Sequence, residues 1–213
     1  VVNDVMTSAF NSAGQRCSAC RVLFVQQEIA ERVLYLLQSA LGEWVIGDSM
    51  QLNTDISPVI DTDAKAMLER HKEKMRATAK VIYEMPLPTS CEHGTFFAPC
   101  IYELKNFGQL QSEVFGPILH VIRFAANEWE KVIASINAKG YGLTLGVHTR
   151  IDDHIEMVCA RAKVGNLYIN RNMIGAVVGV QPFGGEGLSG TGPKAGGPHY
   201  LLRFASERTH SVN

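Results

Sequence analysis

The chain has 213 residues, 46% hydrophobic and 19% charged, with a formal net charge of -1 at pH 7. A chain of this length buries enough surface to fold without staples, and a near-neutral balance without a Lys/Arg run argues against nucleic acid as a partner. No apolar stretch approaches the roughly 18 residues of a membrane span, and five cysteines without a secretory leader pattern read as reduced thiols of a cytoplasmic protein.

In chain order, "VVNDVMTSAF" reads as helix and Val22–Val25 as a short buried strand. The segment 27–41 follows with Ile29, Val33, Leu36, Leu37 and Leu41 at helical spacing. Asp61 is placed to cap a helix whose inner face is Ala64, Met67, Leu68, His71 and Met75, with Lys65, Glu69, Lys72 and Arg76 turned to water. His71 is thus expected at the edge of the core. Short strands are expected at 81–83 and 98–104, and a longer one at 118–124. Asn127 with Glu130 resembles a capping box for a helix through Ile136, and Gly140 suits its stop. Strands at 143–147 and 164–169 then flank a helix at 152–162. Apolar strands alternating with amphipathic helices predict an α/β fold, three layers deep, with a mostly parallel sheet. Residues 175–198 are dense in glycine and proline, too long for a mere connector and hence expected to carry function.

The glycines invite a nucleotide-binding reading that fails on detail. "GLSGTGPK" lacks the Gly-Lys-Ser/Thr run of a phosphate loop because Pro193 intervenes, and "GYGLTLG" leads into a strand instead of out of one. Cys17 and Cys20 are spaced Cys-x-x-Cys, but zinc needs two further ligands, and Cys91 and Cys100 lie nine residues apart with no close histidine pair. A dithiol redox site is expected to open a helix after a strand, whereas this pair precedes a strand. A single nucleophilic thiol fits better: Gly14 permits a tight turn, and Arg16 and Arg21 favour a thiolate. Spacing does not choose between Cys17 and Cys20, and either can be a buried small hydrophobe. Glu113, ahead of "FGP" at the mouth of a strand, offers two acceptor oxygens for ribose hydroxyls, with Phe115 as a flat apolar surface. The plain alternative is a solvated glutamate and a core phenylalanine.

Taken together, "FNSAGQRCSACR", "DISPVID", "SEVFGPIL" and "GNLYINRNMIGAVVGVQPFGGEGLSGTGPKAGGPHY" resemble, in this order, the aldehyde dehydrogenase superfamily over nearly the whole chain. The last is similar to the L-glutamate γ-semialdehyde (1-pyrroline-5-carboxylate) dehydrogenase branch, including the bifunctional proline-utilisation proteins. The resemblance implies NAD-dependent oxidation of glutamate semialdehyde to glutamate. It places the nucleophile at Cys17, the ribose-binding carboxylate at Glu113 and an aromatic packing surface at Phe115. It assigns the substrate carboxylate to Ser18, Gly175 and Ala176, and its aliphatic part to Phe183.

The family also carries a dinucleotide-binding domain, an oxyanion asparagine and a general-base glutamate before the nucleophile, where this chain has only sixteen residues. The expectation is a catalytic domain that depends on those parts, neither binds NAD tightly nor turns over alone, and joins a homodimer only with them. A flavin (FAD) site for proline dehydrogenation, DNA binding or membrane contact would lie outside these residues. A domain whose only task is packing is the competing expectation, and an exposed apolar patch at 177–180 would favour it.

Overall fold

The computed structural model describes residues 1–213. Eight strands and five α-helices are interspersed along it. The principal sheet has four strands in the order β1–β4–β3–β2, formed by β1 (Val22–Gln26), β2 (Lys80–Glu84), β3 (Cys100–Glu103) and β4 (Ile118–Phe124). β4 pairs parallel with both β1 and β3, and β2 joins antiparallel at the edge with a register shift between Val81 and Tyr83. From Ile118 to Val121 every β4 side chain is buried. Successive strand side chains point to opposite faces, so both faces of the sheet are covered there.

α1 (Val2–Phe10) and α2 (Gln27–Gly42) pack on each other and against this sheet. The buried stripe of α2 is Ala30, Val33, Leu34, Leu37 and Leu41, while Ile29 and Leu36 are exposed, which corrects the face expected from the sequence. Both stripes satisfy helical spacing. Ala30 lets the helix approach closely where the bulkier Ile29 would hold it away. α3 (Thr62–Thr78) begins as expected, with the Asp61 carboxylate accepting from the Ala64 amide at 2.8 Å. Its expected outer row is only partly solvated: Lys65 donates to the Gly94 carbonyl, and Lys72 reaches toward Glu84 and lies over the Phe97 ring.

A second, smaller unit follows. α4 (Trp129–Asn137) and α5 (Asp152–Arg161) sit with the parallel pair β6 (Thr144–Val147) and β7 (Asn166–Ile169) around a core of Ile133, Val147 and Val158. Helix α4 starts one residue later than the capping-box pattern implies. Glu128 holds the N-cap position and its carboxylate accepts from the Ala125 amide and from Lys131, so Asn127 is not the cap. Gly140, at φ +76°, ends the turn after α4 as expected. The glycine-rich stretch after β7 folds back on the sheet end. Asn166 bonds the Pro182 carbonyl and the Gly184 amide, Phe183 and Ala195 exchange backbone bonds, and β5 (Tyr141–Gly142) pairs with β8 (Glu186–Gly187). No helix is long and apolar enough to cross a membrane.

Candidate active site

Between α1 and β1 the chain turns in a way few sequences tolerate. Ser12, Ala13 and Gly14 all have positive φ, at 57°, 52° and 65°. Only glycine enters this left-handed region without a steric cost. Gly14 is irreplaceable for a second reason, because a Cβ there would lie 2.3 Å from the Gly116 carbonyl oxygen and 2.9 Å from that of Ala9. The "GQRC" and "FGP" segments therefore cross backbone to backbone at a Gly–Gly contact.

The turn delivers Cys17 to the surface. The Ala19 amide donates to the Arg16 carbonyl at 3.0 Å, closing a four-residue turn with Cys17 and Ser18 at its corners. Cys17 is exposed, and its amide donates to no acceptor in the chain. Cys20 differs in every respect. It is buried, its thiol lies 3.5 Å from the Val22 carbonyl, and burial pushes it up to about 11, against the opposing pull of Arg21. All five cysteines are free thiols, and no cluster of three or more His, Cys, Asp or Glu side chains is arranged to hold a metal ion.

Arg21 binds the neighbourhood together. Its guanidinium donates to Glu113 Oε1 at 3.0 Å, to the carbonyls of Gly14 at 2.5 Å and Arg16 at 3.0 Å, and more weakly to that of Gly116 at 3.4 Å. It also lies 4.6 Å over the Phe115 ring. Burial pulls this guanidinium below its usual range, and the Glu113 carboxylate opposes the pull. Arg16 points elsewhere, to the Ser12 hydroxyl.

Beneath the turn sits a buried histidine pair that sequence reading saw only by half. His71 is at the core edge as expected, but its Nε2 lies 2.9 Å from Nε2 of His120, whose Nδ1 is 3.0 Å from the Arg21 carbonyl. A carbonyl accepts, so His120 carries its proton on Nδ1 and receives one at Nε2 from His71. The signal was a histidine in the middle of the apolar run "ILHVI". Burial depresses both to about 4, with Lys74 adding to the effect on His71 and the Arg21 carbonyl bond opposing it on His120.

That depression has a sign. Between about pH 6.5 and 4 the unfolded chain protonates His120 while the folded one does not, so stability falls with pH across this window, by roughly 3 kcal/mol for a fully buried imidazole. Urea unfolding at pH 7 and 4.5 should show His120→Gln less stable at pH 7 but with a shallower loss on acidification than the wild type. Parallel slopes would refute the assignment.

Cys17, Glu113 and Phe115 line one cleft of about 460 Å³, together with Arg21, Phe24 and His120 from the main sheet side and Leu143, Thr144 and Leu145 from the second unit. Phe107, Leu110, Ile136 and Lys139 extend it; nothing in their sequence context marked them, because they meet only through the packing of the two units. Ser18, Gly175, Ala176 and Phe183 do not line this cleft. Ser18 is buried with a hydroxyl that bonds nothing within the chain; Gly175 is exposed at φ +70°; Ala176 and Phe183 are half-buried. The amides of Gly175 and Ala176 donate to no backbone or side-chain acceptor.

An exposed thiol at a turn tip with an unspent amide on the same residue shares one cleft with a carboxylate and an aromatic ring. The aldehyde dehydrogenase family model matches residues 1–210, and the chain belongs to that family. It is 58% identical to the bifunctional protein PutA of Klebsiella aerogenes over 98% of its length, and 32% identical to the human mitochondrial delta-1-pyrroline-5-carboxylate dehydrogenase over 97%. Among solved structures, a mutant proline utilization A from Bradyrhizobium japonicum superposes with a TM-score of 0.93 at 56% identity over 97% of the chain, which covers 21% of that protein. The chain spans 16% of the Klebsiella protein and 38% of the human enzyme.

Proposed function

We propose that this chain is the thiol-bearing catalytic domain of an NAD-dependent L-glutamate γ-semialdehyde dehydrogenase, oxidising glutamate semialdehyde to glutamate in proline breakdown. The observation that carries the reading is the exposed Cys17 with its free amide, lining one cleft with Glu113 and Phe115. The Cys17 sulfur attacks the aldehyde carbon, forming the S–C bond as the carbonyl oxygen becomes an oxyanion. The Cys17 amide is free to donate to that oxygen. NAD, held by Glu113 at its nicotinamide ribose and packed beside Phe115, would supply the hydride acceptor needed to reach a thioester. Water then cleaves the C–S bond, releasing glutamate and the thiol.

The residues present fit the nicotinamide end of NAD. Glu113 is exposed, its Oε1 is held by Arg21 and its Oε2 is unengaged, so it can receive a ribose hydroxyl; Phe115, 40% exposed, offers a ring face beside it. No glycine-rich strand–turn–helix for the adenine half is present, so the reading includes a dinucleotide-binding domain, an oxyanion asparagine and a general base supplied by other residues. Val177, Val178 and Val180 are exposed, the apolar patch that favours the competing packing reading, and it suits a covering segment or a dimer partner equally. Ser18 with the Gly175 and Ala176 amides supplies uncommitted donors suited to the substrate's carboxylate, and Phe183 to its methylenes. Five unpaired thiols suit a reducing compartment such as the cytoplasm. An FAD site, DNA binding or membrane contact would have to come from residues outside this chain.

The test is NADH formation by the full reading frame with glutamate semialdehyde and with propanal. A preference for the semialdehyde of at least about 100-fold in kcat/KM is expected, since several uncommitted donors would lose their anion with propanal. Equal rates would leave a dehydrogenase of different specificity.

A further inference from the structure

We infer that Arg21 is a positioning residue, a single guanidinium that sets the Cys17 turn and the Glu113–Gly116 segment in one geometry; the inference rests on the dehydrogenase reading above. Its donors divide between two stretches 97 or more positions apart: the carbonyls of Gly14 and Arg16 on one side, and the carboxylate of Glu113 with the carbonyl of Gly116 on the other. The Arg16 carbonyl is the acceptor that also closes the Cys17–Ser18 turn, and the Gly14 carbonyl ends the run of three left-handed residues. Such a run persists only where its surroundings over-determine it. Arg21 is itself fixed at its root, since its carbonyl accepts from both the amide and Nδ1 of His120. Its side chain is 16% exposed, and the plane is held against Phe115.

The shape of the group matters more than its charge. A planar fork spans three carbonyls and a carboxylate at once, whereas a lysine ammonium reaches one or two of them. By holding Glu113 Oε1, Arg21 also leaves Oε2 aimed as the oxygen open to a cofactor hydroxyl. Arg21 lines the same cleft, but its donors are spent on the Cys17 turn and the Glu113–Gly116 segment, and it acts through them.

The experiment has two arms. In this chain, Cys17 alkylation by iodoacetamide is followed by peptide mass spectrometry, with exposed Cys159 as internal reference. Arg21→Ala should slow Cys17 by about tenfold relative to Cys159, and millimolar guanidinium, but not equal sodium chloride, should restore it. In the full reading frame, Arg21→Lys should lower kcat by at least about tenfold and raise the KM for NAD by about threefold, with the circular dichroism spectrum unchanged. If Arg21→Ala fails to fold, Arg21→Lys is read by both assays. Arg21→Lys with wild-type kcat, KM and Cys17 alkylation overturns the inference. If wild type makes no NADH, or Cys17→Ala still makes it, the dehydrogenase reading falls instead, and the alkylation arm alone decides whether Arg21 places the thiol.

Discussion

Replacing Cys17 by alanine in the full reading frame is expected to lower NADH formation from glutamate semialdehyde by at least about 10⁴-fold, while Cys20→Ala leaves it within about threefold. The two thiols lie three residues apart, yet the fold gives them opposite environments. Cys17 stands at the corner of an exposed turn whose amide is uncommitted. Cys20 is 7% exposed in the main core, and burial raises its thiol to about 11, so it stays protonated and inert at neutral pH. Losing the Cys20 sulfur opens a small cavity and should cost about 1 kcal/mol of stability, a change visible in a melt and not in the chemistry. The opposite ranking of the two variants would move the nucleophile to Cys20.

Gly14→Ala is expected to cost about 3–5 kcal/mol in urea unfolding. The left-handed backbone accounts for about 1–2 kcal/mol. The rest comes from a methyl placed 2.3 Å from the Gly116 carbonyl oxygen, a backbone atom that cannot rotate aside. Gly175→Ala is the control. It shares a positive φ, of 70°, but its added methyl meets nothing within 4 Å, so only the conformational cost of about 1 kcal/mol applies. Equal losses at the two positions would mean that the crossing of the "GQRC" and "FGP" segments contributes nothing.

The difference between those glycines shows where sequence reading stops. Gly14 was recognisable as a turn, because glycine before a polar run marks one; that its hydrogen faces Gly116 follows from a contact between positions 102 apart, which no local pattern encodes. Strand and helix boundaries were legible for the same local reason. The run Ile118–Phe124 and the Asp61 cap fall where apolar continuity and capping chemistry put them. The misread face of α2 and the misplaced cap at Asn127 arose where two local solutions were nearly equal and packing or a neighbouring carboxylate decided between them.

By itself the sequence determined the α/β alternation, the family signature around Cys17 and Glu113, and the absence of a local phosphate loop, because these depend on residue type and short-range spacing. Only the tertiary structure decided which cysteine is exposed, that Arg21 joins Glu113 to the Cys17 turn, and that His120 supports Arg21 from below. Those properties are set by burial and by hydrogen-bond geometry between remote segments, and burial is a property of the folded surface, not of any residue in the chain.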